Sequence, residues 1–302
     1  MSYTNTKQML QNARNNKFCI GAFNMANVEQ AQAIQEVATE LNKDVIIQAS
    51  ESTCKHIGMG TIVAIVKNLA EKTPVSIALH LDHGKSVEVC KKAIDAGFSS
   101  VMIDLSGKSF EENIKGTKEV VEYAKKYNVS VEAELGEIVG VEDEQSSSVD
   151  HLTDPKKARE FVERTGIDSL AISIGTAHGI NKGTTEPKIR FDIVKKIEKE
   201  LPAFPLVCHG ASTVEKTLID KVVKYNGVIK KSQGIPSAIL ARLAKTGISK
   251  INIDTDLKLS FMGAIREFMC TNPDVFDIRK IMAYAKEQSK HYLKNIITNI
   301  LN

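Results

Sequence analysis

Short apolar runs alternate with longer amphipathic ones from residue 19 to the end of the chain. The runs CIGAFN (19–24), VIIQAS (45–50), VSIALHLDH (75–83) and SVMIDLS (100–106) read as strands. So do SVEAEL (130–135), SLAISIG (169–175), FPLVCHG (204–210) and KINIDT (250–255). Helical spacing predicts helices near 27–41, 57–72, 86–96, 109–127, 155–165, 190–200, 214–225 and 236–245, with two more near 257–270 and 278–300. The strands are apolar throughout rather than at alternate positions, the pattern of a parallel sheet covered on both faces. Eight strand–helix units in this length predict an α/β fold of the closed (β/α)8 TIM-barrel type. A doubly wound open sheet is the structural alternative. No linker, repeat or low-complexity tract marks a second domain. Residues 1–302 are therefore expected to form one barrel domain, with a C-terminal helical extension over about 257–302.

Three segments break the pattern. Residues 136–153 are polar, lack apolar periodicity and are long for a connection, as functional lids often are. Residues 176–187 are rich in Gly, Lys and Thr, and an insertion surrounds NGVIKKSQGIP.

Composition adds exclusions more than assignments. The chain has 302 residues, 42% hydrophobic and 25% charged, enough for a substantial core. A net charge of +3 from 40 basic and 37 acidic residues is too balanced to argue for a nucleic-acid partner, and none is expected. Runs such as KKIEKE suit solvated helix faces. The cysteines Cys19, Cys54, Cys90, Cys208 and Cys270 are odd in number and form no CxxC, so a reducing cytoplasm is expected rather than a disulfide framework. The N-terminus is polar and helical, without the apolar stretch of a signal peptide, and no 18-residue apolar run predicts a membrane span.

The chemistry lies at the C-terminal ends of the strands, where a barrel of this kind places function. Successive strands end in or carry Asn24; Ser50; Asp82 and His83; Asp104; Glu132 and Glu134; His178 just beyond the sixth; His209 and Gly210; and Asn252, Asp254 and Thr255. Closure would bring His83, His178 and His209 together. Three neutral imidazoles hold zinc and leave one tetrahedral position open. Strand alternation turns His80 away from His83, to a structural or supporting place. The same alternation turns Asp82 away, unless a twist or bulge at the strand end brings it into the mouth. It reads equally as a general acid/base, a helix cap or a partner for a buried histidine. His56, His151 and His291 read as surface or packing residues. HGAS and NIDT lie where barrels commonly bind phosphate, although Gly and Ser also serve ordinary turns and caps. Lys108, Lys182 and Lys250 lie near strand ends. None falls inside an apolar strand, which argues against a Schiff-base lysine.

With these residues assembled, the chain resembles the class II, metal-dependent ketose-bisphosphate aldolases over nearly its whole length. GAFN, ALHLDHG, SVMIDLS, VEAELGEIVGVED, AISIGTAHG, LVCHGAS and KINIDTDLKL occur in that family's order and spacing. The resemblance implies catalytic zinc on His83, His178 and His209. It implies Asp82 as the acid/base at the cleaved bond and Glu142, in the mobile loop, as the residue exchanging the ketone-side proton. Asp104 and Glu134 match a second or alternative metal position, for a divalent or monovalent cation. Asn24 and Ser50 match substrate contacts. Gly179, Gly210, Ala211, Ser212, Asn252, Ile253, Asp254 and Thr255 match the dihydroxyacetone phosphate site, and Arg279 an arginine for the far phosphate, often across a dimer interface.

The implied activity is the glycolytic one: reversible cleavage of fructose 1,6-bisphosphate through a zinc-stabilised enediolate. The implied enzyme is cytoplasmic and a homodimer or higher homo-oligomer, with a phosphorylated sugar, not a nucleic acid or membrane, as its partner. Tagatose 1,6-bisphosphate, differing at C4, is the alternative substrate. Asp254 stands where tagatose-specific relatives tend to have a small residue, which favours fructose. Departures from the family are Val139 in place of a loop glycine, FDIRK in place of DPR around Arg279, and the insertion at 226–236. Two other readings remain: a different metal enzyme, such as a hydrolase, would want further ligands near the first strand, and GAFN has none. A barrel that has lost catalysis would lack a ligand or Asp82, and all are present.

Overall fold

The computed structural model describes residues 2–142, 145–147, 152–179, 187–229, 233–299 and 301. Its first half runs α1 (Thr6–Asn16), β1 (Ile20–Asn24), α2 (Val28–Leu41), β2 (Val45–Ser50), α3 (Glu51–Ile57), α4 (Met59–Ala70), β3 (Ile77–Gly84), α5 (Val87–Ala96), β4 (Ser100–Ile103), α6 (Phe110–Lys125) and β5 (Ser130–Leu135). The second half runs β6 (Val139–Glu142), β7 (Gln145–Ser147), α7 (Pro155–Thr165), β8 (Ser169–Ile172), β9 (Ala177–His178), α8 (Phe191–Glu200), β10 (Leu206–Cys208), α9 (Lys216–Lys224), α10 (Ser237–Leu243), β11 (Ile248–Ile253), α11 (Thr255–Thr271) and α12 (Ile278–Asn299).

Eight strands close into a parallel barrel in the order β1-β11-β10-β8-β5-β4-β3-β2. That closure excludes the open-sheet alternative. The outward residues, such as Leu79, Leu81, Ile251 and Ile253, join one apolar layer beneath the helices. Each such side chain fully removed from water is worth about 1.5–3 kcal/mol. Helix boundaries follow local chemistry: Asn5 caps α1, Ser109 and Glu112 form a capping box on α6, and Gly97 and Gly166 end α5 and α7 in the left-handed region. The helix predicted over 57–72 is α4, and a short helix that the periodicity does not predict, α3, precedes it, with Gly58 at φ 91° between the two.

The barrel interior is layered. At the bottom, Met9, Leu10 and Ala13 of α1 plug the barrel against Ile20, Ala22, Ile46 and Ala78. Beside them, Thr6 Oγ1 lies 2.8 Å from Ser130 Oγ and 3.1 Å from Ser100 Oγ. Met102, Ala171 and Val207 form a small middle layer. Above it lie buried polar side chains, among them Gln48, His80, Asp82 and Lys250. The last helix, α12, packs on α11 and α2.

The 136–153 segment has structure that its composition does not announce. Its described part holds β6 and β7 as an antiparallel pair, and β6 pairs in parallel with β9, Gly140 opposite His178. Strands of four and three residues are too short to show a period, so the segment reads as a loop in sequence.

Candidate active site

Asp82 and His83 come from one strand yet face one mouth. Ala78, His80 and Asp82 are the inward positions of β3, with Ala78 in the plug layer. Alternation would send His83 outward among the helices. Instead His83 takes φ 49°, and the β3–β4 register shifts between Leu81 and Gly84. This irregularity turns His83 back into the mouth. The sequence expectation is therefore inverted: Asp82 faces inward by regular alternation, and His83 is the residue the bulge redirects.

His83, His178 and His209 converge. One ring nitrogen from each lies within 4.8 Å of the others, and all three side chains are buried. Ring centroids are 4.6 Å apart for His83 and His209, 5.2 Å for His83 and His178, and 6.0 Å for His178 and His209. Among the described residues they are the one group of His, Cys, Asp or Glu side chains able to hold a metal ion.

Carboxylates behind two of these rings fix which nitrogen carries hydrogen. His83 Nδ1 donates to Asp104 Oδ2 at 2.8 Å, and His209 Nε2 donates to Glu132 Oε1 at 2.9 Å. The opposite nitrogen of each ring then presents a lone pair. His209 Nδ1 faces Glu134 Oε2 at 3.1 Å, both atoms buried. An imidazole lone pair against a carboxylate oxygen in a dry pocket requires a cation or a proton between them. Burial pulls the His209 pKa down, but the neighbouring Glu132 and Glu134 carboxylates outweigh it and leave it above its ordinary value. The pocket thus favours positive charge at the position where the three rings meet, and the donor set fits zinc.

Asp104 and Glu134 differ from one another. Asp104 Oδ2 also accepts from Lys85 Nζ at 2.8 Å, and its Oδ1 accepts from Ser106 Oγ at 2.7 Å. Burial alone would raise its pKa, yet His83 and Lys85 hold it well below the usual carboxylate range. In this arrangement its oxygens meet His83, Lys85 and Ser106. Glu134 turns an oxygen toward Nδ1 of His209, the ring nitrogen opposite the one that Glu132 holds.

Asp82 is gripped by amides from three strands. Asn24 Nδ2 donates to its Oδ2 at 2.8 Å, Gln48 Nε2 to the same oxygen at 3.2 Å, and Asn252 Nδ2 to its Oδ1 at 3.0 Å. Gln48 Nε2 also donates to Asn24 Oδ1 at 2.6 Å. Gln48, a polar residue at an inward position of an apolar strand, is absent from the sequence-derived site. Its shared parity with Ser50 was the available signal. Ser50 caps α3 through Thr53 N.

The sequence reading also fails at Lys250. This lysine is not at a strand end but the third residue of β11, fully buried inside the barrel. Its Nζ lies 2.9 Å from Glu132 Oε2 and 3.4 Å from His80 Nε2. His80 Nδ1 continues to Ser100 Oγ at 2.8 Å. Burial and the Lys250 charge hold His80 well below its ordinary pKa, so it stays neutral. Glu132, against the effect of burial, is held well below the carboxylate range by Lys250 and His209. Engaged in this ion pair, Lys250 does not present the free amine that a Schiff base needs.

The phosphate candidates gather on the same rim. Gly210 has φ 63°, and a Cβ there would lie 2.7 Å from Ala177 O, so the turn after His209 rests on the backbone before His178. Ala211 and Ser212 are buried in that turn, and Gly179 follows His178 directly. Asn252 and Thr255 are buried at the end of β11, and Asp254 accepts from Lys258 Nζ at 2.6 Å. The side chains of Ala211 and Ile253 belong to the apolar layer, so any contact they offer is through the main chain. Arg279 is 88% exposed at the start of α12 and bound to Asp277. Nothing in the described residues joins it to the cluster. Glu142 ends β6, two residues beyond the partner of His178. His56 and His291 lie in α3 and α12, as expected, and His151 is outside the described residues.

The profile of class II fructose-bisphosphate aldolases matches residues 4–302. The fructose-bisphosphate aldolase of Thermus caldophilus is 43% identical over 292 residues, covering 95% of this chain and 94% of its own. That of Giardia intestinalis is 42% identical over 284 residues, covering 93% and 87%. The crystal structure of the YdjI aldolase from Escherichia coli K12 superposes with a TM-score of 0.79 at 30% identity, over 99% of this chain and 97% of that one. A barrel rim carrying three imidazoles beside a gripped aspartate, matched end to end in sequence and fold, places this chain in the class II fructose-bisphosphate aldolase family, a family of lyases.

Proposed function

We propose that this chain reversibly cleaves fructose 1,6-bisphosphate to dihydroxyacetone phosphate and glyceraldehyde 3-phosphate, with zinc held by His83, His178 and His209. The observation that carries the reading is the meeting of these three rings on the rim that also presents Asp82. Zinc, when bound, supplies a Lewis acid for the ketone carbonyl. Asp82 takes the proton of the C4 hydroxyl as the C3–C4 bond breaks. Asn24, Gln48 and Asn252 keep its carboxylate aimed, a role that costs no reorganisation during reaction. Glu142 returns a proton to C3 of the ketone fragment, and the β6–β7 hairpin excludes water. Asp104 and Glu132 hold the tautomers of His83 and His209. Glu134 is the group available to a second divalent or monovalent cation.

Gly179, Gly210, Ala211, Ser212 and the run Asn252, Ile253, Asp254, Thr255 bind the ketone-side phosphate, chiefly through backbone N–H groups. Arg279 serves the far phosphate of a second copy in a homodimer. The exposed Met262, Met269, Phe276 and Ile278 on α11 and around the start of α12 support such a face. A cytoplasmic place fits the five free cysteines, and no helix among the described residues is long and apolar enough to cross a membrane.

Substrate comparison tests this reading. Fructose 1,6-bisphosphate is expected to be cleaved faster than tagatose 1,6-bisphosphate, and unphosphorylated fructose not at all. The Asp254 carboxylate at the β11 end and the names of the curated relatives both favour fructose. A higher kcat/KM for tagatose 1,6-bisphosphate would overturn the substrate assignment.

A further inference from the structure

The turn that follows His209 is held from one side by a group no catalytic role requires. Ser212, Thr213 and Val214 are buried, and Val214 sits at φ 48°. A β-branched residue in the left-handed region is costly, so its surroundings must over-determine it. They do so through Asp256. One carboxylate oxygen, Oδ2, accepts from Thr213 N at 2.7 Å and Thr213 Oγ1 at 2.9 Å, and Oδ1 accepts from Val214 N at 2.7 Å. Gly234 presses on the turn's other side. A Cβ there would come within 2.3 Å of Ser212 O and 2.5 Å of Thr213, and Ile235 N donates to Ser212 O.

Asp256 is also the residue after Thr255, in the first turn of α11. One carboxylate therefore joins the residues that directly follow the two segments assigned to phosphate: Thr213 and Val214 after 210–212, and Asp256 itself after 252–255. The remaining hydrogen bond to it comes from the end of the chain. Tyr292, 7% exposed on α12, donates its hydroxyl to Asp256 Oδ2 at 2.8 Å. Helix α12 is in turn fixed by its packing on α2 and α11.

We infer that Tyr292 is a positioning residue for phosphate binding: through Asp256 it sets the place of the 210–214 turn against the end of β11. The inference rests on the proposed bisphosphate site. Without the hydroxyl, the carboxylate loses its anchor to α12, and the turn loses its register with Asn252–Thr255. The effect falls on binding of the phosphate, not on Asp82 or the three histidines, none of which Asp256 touches among the bonds described here.

The test is Tyr292→Phe, with Tyr284→Phe as control. Tyr284 lies on the same helix and bonds Glu267 instead. Loss of a hydrogen bond to a buried carboxylate is expected to raise KM for fructose 1,6-bisphosphate, and the inhibition constant of inorganic phosphate, roughly tenfold. The kcat at saturation and the zinc content should stay within about twofold, a margin small beside the roughly tenfold change expected in binding. Hydrogen exchange at Thr213 and Val214 should quicken in Tyr292→Phe and not in the control. If Tyr292→Phe yields no folded protein, Asp256→Asn is read the same way. Wild-type KM and phosphate inhibition in the variant, even with a lower Tm, would overturn the inference by making the hydroxyl a packing group. A wild-type protein that binds phosphate but cleaves no bisphosphate would instead overturn the proposed function. Direct phosphate titration of Tyr292→Phe would still decide the inference.

Discussion

Replacing His209 by alanine is expected to abolish stoichiometric zinc binding. The ring offers Nδ1 to the cluster only because Glu132 takes its Nε2–H. Loss of such an outer hydrogen bond alone costs roughly 10–100-fold in metal affinity. Loss of the ligand itself removes the nitrogen and leaves Glu132, Glu134 and Lys250 facing a cavity, so the drop should exceed that range. Competition with a chromophoric chelator measures it, with circular dichroism as the check on folding. Retention of one tightly held zinc per chain in His209→Ala would show that the ligand set is wrong.

Asp82→Ala carries the second large effect, in the opposite compartment of the site. Asp82 lies beside the histidines but bonds Asn24, Gln48 and Asn252, not the rings, so zinc content should be unchanged. Removing a positioned general base costs typically 10²–10⁴-fold, and kcat should fall by about that factor. KM should change less than kcat, because Asn252 is the one member of the phosphate segments that bonds Asp82 among the described residues. The three amides, left without their acceptor, bond to water or to one another. Turnover within a few-fold of wild type would reject the acid/base role. Asp82→Asn separates charge from shape: it should lose turnover as alanine does while keeping the carboxamide in contact with its neighbours.

The barrel and the histidine trio were legible in sequence for the same reason. Parallel strands buried on both faces leave continuous apolar runs, and a polar residue at the end of such a run has few places to go except the mouth. His83, His178 and His209 stand out against that background. What period-two reasoning misjudges is direction at an irregularity. It sends His83 and Asp82 to opposite faces, and a single residue at φ 49° undoes the rule. No local signal marks that residue, since the bulge is set by how β3 meets β4.

Lys250 was misread for a different reason. A lysine at the edge of an apolar run looks like a strand boundary, because an isolated buried ammonium is prohibitively costly. The cost is offset by Glu132, 118 positions earlier, which only closure of the barrel brings within 2.9 Å. Glu132 itself was visible as the inward neighbour of Glu134, but its partners were not. The Asp256–Tyr292 bond is equally hidden, since it joins one turn of a barrel helix to the C-terminal helix. Ion pairs and hydrogen bonds between distant elements leave no period in sequence. Apolar faces do.

The most direct test of the central claim is cleavage of fructose 1,6-bisphosphate by the purified protein, before and after a strong chelator, with zinc then added back. Activity that disappears on chelation and returns with zinc is the predicted result. It would tie turnover to the centre formed by His83, His178 and His209. Activity that survives chelation and is trapped by borohydride on a lysine would contradict the account, and would make Lys250, the buried amine at the heart of the barrel, the residue to explain.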